Sequence, residues 1–144
     1  MKIRLESAEG QETEVIIRGD VTSEEVLSLL QLLRRRSTGK IILSREEEQF
    51  IVDSEEIVFF EVCDGRTYAH TRQDTYESKL KLYEIRELLA AQPFAQINKS
   101  VLVNINFVKS IQAEFSGNYR LRLKNRSEQL TISRKYFKEF KDKV

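Results

Sequence analysis

From residue 40 onward, apolar residues come in short blocks broken by charged or turn-forming ones, the pattern of strands in a β-rich body. Residues 41–43, 50–52, 57–62, 67–71 and 74–78 fit short strands. The clearest is Ile57-Val58-Phe59-Phe60, apolar on every position and flanked by Glu55-Glu56 and Glu61, as a central strand buried on both faces would be. Asp64-Gly65 has the composition of a two-residue hairpin turn leading into the strand at 67. A helix follows, with Leu82, Ile85, Leu88 and Leu89 on one face, and Pro93 ends it. Residues 94–97 return to strand texture, Asn98-Lys99-Ser100 interrupts it, and further strands are expected at 108–115, 119–124 and 129–132. Ser116-Gly117-Asn118 and residues 125–127 supply the turns between them. A last amphipathic helix starts at Ser133, with Tyr136, Phe137 and Phe140 directed inward.

The first 39 residues read differently. Residues 2–5 and 14–18 suit two short strands around a polar turn containing Gly10. Thr22-Ser23-Glu24-Glu25 forms a capping box, with Thr22 as the cap and Glu25 three residues on. Val26, Leu29, Leu30 and Leu33 then recur at helical spacing, widened by Leu27 and Leu32, and Arg34-Arg35-Arg36 suits a helix C-terminus. The expected organisation is a ββα module over 1–39 and a body over 40–144. The fold class is mainly β with a few helices, an α+β chain.

Composition narrows the classes. A chain of 144 residues with 40% apolar residues can build one real core, with room for a small appended module. The 33% of charged residues and apolar runs of at most four or five residues point to a soluble, cytoplasmic protein without a bilayer span. The opening MKIRLESAEG has no apolar signal-peptide core. A single cysteine, Cys63, excludes an internal disulfide, and one Cys with one His cannot make a four-ligand N/S zinc site.

The net charge of +1 conceals a division. Residues 1–95 carry 13 Lys/Arg against 19 Asp/Glu, a net of −6; residues 96–144 carry 11 against 4, a net of +7. The basic part is strand-rich, so its charges are held on a folded surface where they act together on an anionic partner.

Catalytic chemistry is difficult to assemble. His70 lies in simple strand alternation (Tyr68-Ala69-His70-Thr71), and Cys63 reads as a small packing residue beside Asp64. Glu46-Glu47-Glu48 and Glu55-Glu56 read as solvated turns rather than a metal site, and no glycine-rich phosphate loop is present. No enzyme activity, metal or cofactor is expected. In the basic part, Lys99 on a projecting turn suits a phosphate, Asn98 a phosphate or an adenine edge, and Ser100 a cap or a phosphate contact. Ser133 is expected to cap the last helix, which places Arg134 and Lys135 in its first turn, where free N–H groups favour anions. Arg66 and Arg72 would extend the positive surface, whereas Asn104 is expected to satisfy neighbouring backbone.

These motifs, taken in order, resemble the LytTR-type DNA-binding domain, the output module of many bacterial response regulators. The resemblance runs from about Lys40 to the C-terminus. It is carried by EEIVFFEV, by LYEIRELL before Pro93-Phe94, by FAQINKSVLVNINFV and by LTISRKYFKEF. It implies stacked antiparallel sheets with a few short helices, preceded here by the ββα module, and loops that enter successive major grooves of a bent duplex. The family's contact positions fall on Asn98, Lys99, Ser100 and Arg134, with a further contact from the hairpin loop at Arg66 and Thr67. Many members carry a His-Arg pair where this chain has Asn98-Lys99, so its base readout is expected to differ. The first 39 residues are too short for a receiver domain and lack its clustered acids, so the resemblance implies a stand-alone member.

The expected function is therefore a sequence-specific DNA-binding transcription regulator of a bacterium, a homodimer acting on promoter repeats of double-stranded DNA. Through the resemblance, a membrane-protein regulator encoded nearby is an expected partner, and the 1–39 module is a candidate for dimerisation or partner binding. The alternative is a protein-interaction module that binds a membrane-anchored partner through its acidic half. An RNA-binding reading has little support, because no exposed aromatic platform is evident in the strands.

Overall fold

The structure is a computed structural model; it describes residues 1–10, 13–37 and 39–144, and the side chains of these outside 34–37. The chain divides into two compact units, Met1–Arg34 and Arg35–Val144.

The helix α1 (Glu24–Ser37), which begins in the first unit, forms as expected, but one residue changes role. Ser23 is the cap: its carbonyl accepts the Leu27 N–H at 3.0 Å and its hydroxyl the Val26 N–H at 3.3 Å. Thr22 instead donates both its N–H (3.0 Å) and its hydroxyl (2.6 Å) to Asp20 Oδ1, and these bonds hold the Asp20 carboxyl below its usual pKa. The strands expected at 2–5 and 14–18 do not form among the described residues. Ile3, Leu5, Val15 and Ile16 are all exposed, so these segments lack the partner strand and buried face that would hold them extended. Thr38, directly after the helix, lies outside the described residues.

The second unit begins with β1 (Lys40–Arg45), β2 (Glu48–Asp53), β3 (Ile57–Cys63), β4 (Arg66–Thr71) and β5 (Thr75–Ser78). Helix α2 (Leu82–Leu88) follows, then β6 (Phe94–Asn98), β7 (Val101–Asn104) and β8 (Val108–Ala113). The chain closes with β9 (Tyr119–Leu123), β10 (Gln129–Ile132) and α3 (Arg134–Lys143). Seven strands make one antiparallel sheet in the order β2-β1-β5-β4-β3-β7-β6, and three make a second, β10-β9-β8. Of the expected strands, 108–115 is shorter, because Glu114 and Phe115 belong to the following loop.

The large sheet is covered on both faces, which explains the continuous apolar run of β3. One core gathers Ile57, Phe60, Phe94 and Leu102 beneath Leu82 and Ile85 of α2 and Leu89 at its C-cap; Leu88, expected on the same face, is exposed. The other gathers Val58, Phe59, Ile97 and Val103 against Leu121, Leu123 and Ile132 of the small sheet and Phe140 of α3. A bulge between Ile57 and Phe59 turns Val58 and Phe59 to the same core. Helix α3 is fixed at one side by Phe140, by an ion pair between Arg86 and Glu139, and by Lys143 Nζ donating to the Phe94 carbonyl at 2.9 Å.

Candidate nucleic-acid interface

The basic residues singled out in the sequence come from three separate segments, and strand register decides where they meet. Cys63 pairs with Arg66 across the β3–β4 hairpin, whose turn residues Asp64 (φ 51°) and Gly65 (φ 76°) both adopt the left-handed region of a type I′ turn. Val62 N–H donates to Ser100 O at 2.8 Å, so the β6–β7 turn lies beside this hairpin. Ser133 N–H donates to Ile97 O at 2.8 Å, which brings the start of α3 to the same end of the sheet. Arg66, Lys99, Arg134 and Lys135 are all exposed along this rim. Among the described residues no carboxylate pairs with Lys99, Arg134 or Lys135, and Arg66 approaches Glu77 only to 4.0 Å. The rim is thus a row of four exposed cations, three of them unpaired among the described residues, suited to polyanion binding.

Several expected contacts have a different place. Asn98 spends both ends of its amide inside the protein: Oδ1 accepts the Ser100 N–H at 2.8 Å and Nδ2 donates to Thr131 O at 2.9 Å. It shapes the turn that presents Lys99 and leaves Ser100 half-buried behind it. Thr67 is buried in β4 between Val62 and Ser78, so its side chain offers nothing at the surface. Arg72 sits at the opposite end of β4 from Arg66, roughly 20 Å along the strand, with its guanidinium 5.0 Å from the Phe107 ring. It does not extend the basic rim.

Ser133 occupies the cap position of α3, but its hydroxyl makes no cap bond. The role falls to Asn118 in the β8–β9 loop, whose Oδ1 accepts the Arg134 N–H at 3.1 Å. Gly117 lies directly against the Arg134 side chain: a Cβ there would stand 3.4 Å from Nη1. Residues 117 and 118, which the sequence marks only as a turn, therefore position the arginine. The signal available was a Gly-Asn pair, and nothing local says which helix it serves.

The remaining polar groups are structural. His70 stacks on Phe59 at 4.4 Å, with Nε2 2.7 Å from Glu61 Oε1 and Nδ1 3.1 Å from Thr75 Oγ1. Asn104 is buried, donating to Ile57 O at 2.9 Å and accepting from Asn106 N–H at 3.0 Å, as expected. Arg126 grips Glu128 through two nitrogens, at 2.6 and 2.8 Å, and this hydrogen bonding lowers the Glu128 pKa. Cys63 is exposed at the strand end rather than packed. No helix of the described residues is long and apolar enough to cross a membrane.

A family model described as the LytTr DNA-binding domain matches residues 47–144. The chain belongs to this family. Among its relatives, the sensory transduction protein LytT of Bacillus cereus is 32% identical over 102 residues, covering 71% of this chain and 41% of LytT. The transcriptional regulatory protein YpdB of Escherichia coli K12 is 27% identical over 106 residues, covering 74% of this chain and 43% of YpdB. The chain thus spans about two fifths of the length of these relatives. A solved LytTr DNA-binding domain from Bacillus cereus superimposes with a TM-score of 0.68 at 24% identity, over 74% of this chain and 96% of that one. The LytTr fold read from the sequence, mainly β with stacked antiparallel sheets and a few helices, is the fold observed.

Proposed function

We propose that this chain is a bacterial, cytoplasmic, sequence-specific DNA-binding transcription regulator whose rim loops enter successive major grooves of promoter DNA. The observation that carries this reading is the convergence of Arg66, Lys99, Arg134 and Lys135, from three distant segments, on one end of the sheet, the last three without an acidic partner among the described residues and Arg66 held only loosely by Glu77 at 4.0 Å. Lys99 and Arg134 are the leading contacts for base readout or register. Arg66 and Lys135 add phosphate contacts, and Ser100 offers a backbone or hydroxyl contact at the turn. Asn98 holds that turn in shape. Membership of the LytTr family and the names of LytT and YpdB support DNA-linked regulation.

A gel shift on the promoter of its own operon, titrated with salt, tests this. Each phosphate neutralised contributes a log–log slope of about −0.9, so roughly six contacts make binding steeply salt-dependent. Lys99→Ala and Arg134→Ala should each weaken binding and reduce the slope by about 1 without unfolding the protein. Wild-type affinity and slope in both variants would reject the assignment.

The second reading, a protein-interaction module, draws on one observation. Ile42 and Ile51 are directly paired across β1 and β2 yet 62% and 74% exposed, on the acidic part of the chain. A flat salt slope with no specific band would favour it. Homodimerisation, with residues 1–39 as its module, and restraint by a membrane-anchored regulator belong to the proposal. Deleting residues 1–39 and measuring the mass in solution addresses the first.

A further inference from the structure

The loop between β8 and β9 carries a side chain that neither the core nor the basic rim uses. Of eight phenylalanines in the chain, seven are buried or half-buried; Phe115 alone is fully exposed, at 114% of its reference area. Leaving a phenylalanine wholly in water forgoes the stabilisation that burying it would bring. Single exposed apolar residues are common, so exposure alone decides little. Its setting is what matters.

The loop is closed by Glu114 N–H donating to Asn118 O (3.0 Å), Gly117 N–H to Glu114 O (3.1 Å) and Asn118 N–H to Ser116 Oγ (3.3 Å). Phe115 is thus presented on a hydrogen-bonded tip. Two residues later, Gly117 touches the Arg134 side chain, and Asn118 caps the Arg134 N–H. The loop that carries the exposed ring therefore lies at the same end of the fold as Arg134. The one acid beside it, Glu114, is drawn back to Arg120 at 3.1 Å, so its charge is offset where phosphates would approach.

In the major groove the exposed apolar feature is the thymine 5-methyl group, and phenylalanine is among the side chains that recognise it. We infer that Phe115 is a DNA-contacting, specificity-determining residue that packs on a thymine methyl next to the base met by Arg134. The inference rests on the DNA-binding reading above and adds a position to it.

A chemical double-mutant cycle tests it. The wild-type full chain is first used to select a duplex from a randomised pool, and each thymine of that duplex is then replaced in turn by uracil, which removes only the methyl. Wild-type protein should lose about fourfold in affinity at one or two of these positions, the effect of one methyl. Phe115→Ala should bind the parent duplex about five- to tenfold more weakly and be insensitive to the same replacements. Phe115→Leu should restore part of both. Equal binding by wild type and Phe115→Ala, or equal uracil sensitivity in the two, overturns the inference even when Arg134→Ala confirms the DNA-binding reading. So does a loss of affinity that follows a change in oligomeric mass without uracil dependence, which would make Phe115 a protein contact. If selection enriches no sequence, the reading and the inference fall together.

Discussion

Asn98 Nδ2 donates to the carbonyl of Thr131 at 2.9 Å, joining the β6–β7 turn to the last strand across 33 residues of sequence. With Oδ1 holding the Ser100 N–H at 2.8 Å, one amide sets both the shape of the turn and its position against the start of α3. Lys99 and Arg134 owe their common rim in part to this side chain.

Replacing it separates positioning from base reading. Asn98→Ala removes both bonds and should destabilise the fold by about 1–2 kcal/mol, with weaker DNA binding. Asn98→Asp keeps the acceptor for Ser100 N–H but loses the donor to Thr131. Under a positioning role its affinity should fall between wild type and the alanine variant, with sequence preference unchanged. Denaturant titration and selection from a randomised DNA pool check the two parts. A changed preferred sequence in Asn98→Asp would instead mark Asn98 as a base reader.

Gly117 should resist replacement because of its backbone conformation. Its φ of +89° is the left-handed region, and a Cβ would come into van der Waals contact with Arg134 at 3.4 Å. Gly117→Ala should cost about 1 kcal/mol in stability through backbone strain. Because the positive φ must relax to accept a side chain and the turn carries the Asn118 cap of Arg134, DNA affinity should fall as well, whereas Gly10→Ala, in a turn with open space around it, should leave binding unchanged. Parallel thermal melts and gel shifts of the two variants make the comparison.

The β1–β2 hairpin turn is Glu46-Glu47, with φ values of 51° and 69°. Two adjacent glutamates in left-handed conformations, both charged, are a poor choice for a type I′ turn, which favours Asn-Gly. The double substitution Glu46→Asn, Glu47→Gly should stabilise the protein by about 1 kcal/mol and leave DNA binding unaltered, since this turn lies at the end of β1 away from the basic rim. Urea denaturation gives the first result. No gain in the midpoint would mean that the strain is relieved in some other way.

Glu128 supplies a pH signature. The Arg126 guanidinium hydrogen-bonds its carboxylate and lowers the pKa, so the folded state binds fewer protons than the unfolded state in the acid range. The stabilisation is present above the unfolded pKa, roughly 4.3, and disappears as pH falls through the lower folded value. Glu128 is nearly half exposed, so the contribution is below about 1 kcal/mol. Glu128→Gln should therefore be slightly less stable than wild type near neutral pH, with the difference vanishing in acid. A difference that persists or grows at low pH would count against the ion pair as its source.

Apart from β7 (Val101–Asn104), which was not among the expected strands, the strands and helices of the second unit were legible because each has its own period or punctuation. Ile57–Cys63 announced itself by apolar density, Asp64-Gly65 by turn chemistry, and the end of α2 by Pro93. The segments at 2–5 and 14–18 share the local texture of strands but find no partner among the described residues, and local texture cannot report a partner.

For the site, the sequence by itself determined which residues carry charge and that Lys99, Arg134 and Lys135 belong to the basic last third of the chain, within a LytTr domain. It also marked Asn104 as scaffold, since an amide among apolar neighbours must satisfy backbone. Only the tertiary structure decided which charges act together. Arg66 and Arg72 look equivalent in the sequence, yet the strand between them sends one to the rim and the other onto Phe107. Thr67 is turned inward by register, Asn98 is consumed by Thr131 and Ser100, and Asn118 caps a helix 16 residues away. The physical reason is common to all of these. Alternation fixes the face a side chain takes on its own strand, but the end of the sheet it reaches and the groups it meets there depend on pairings between distant segments.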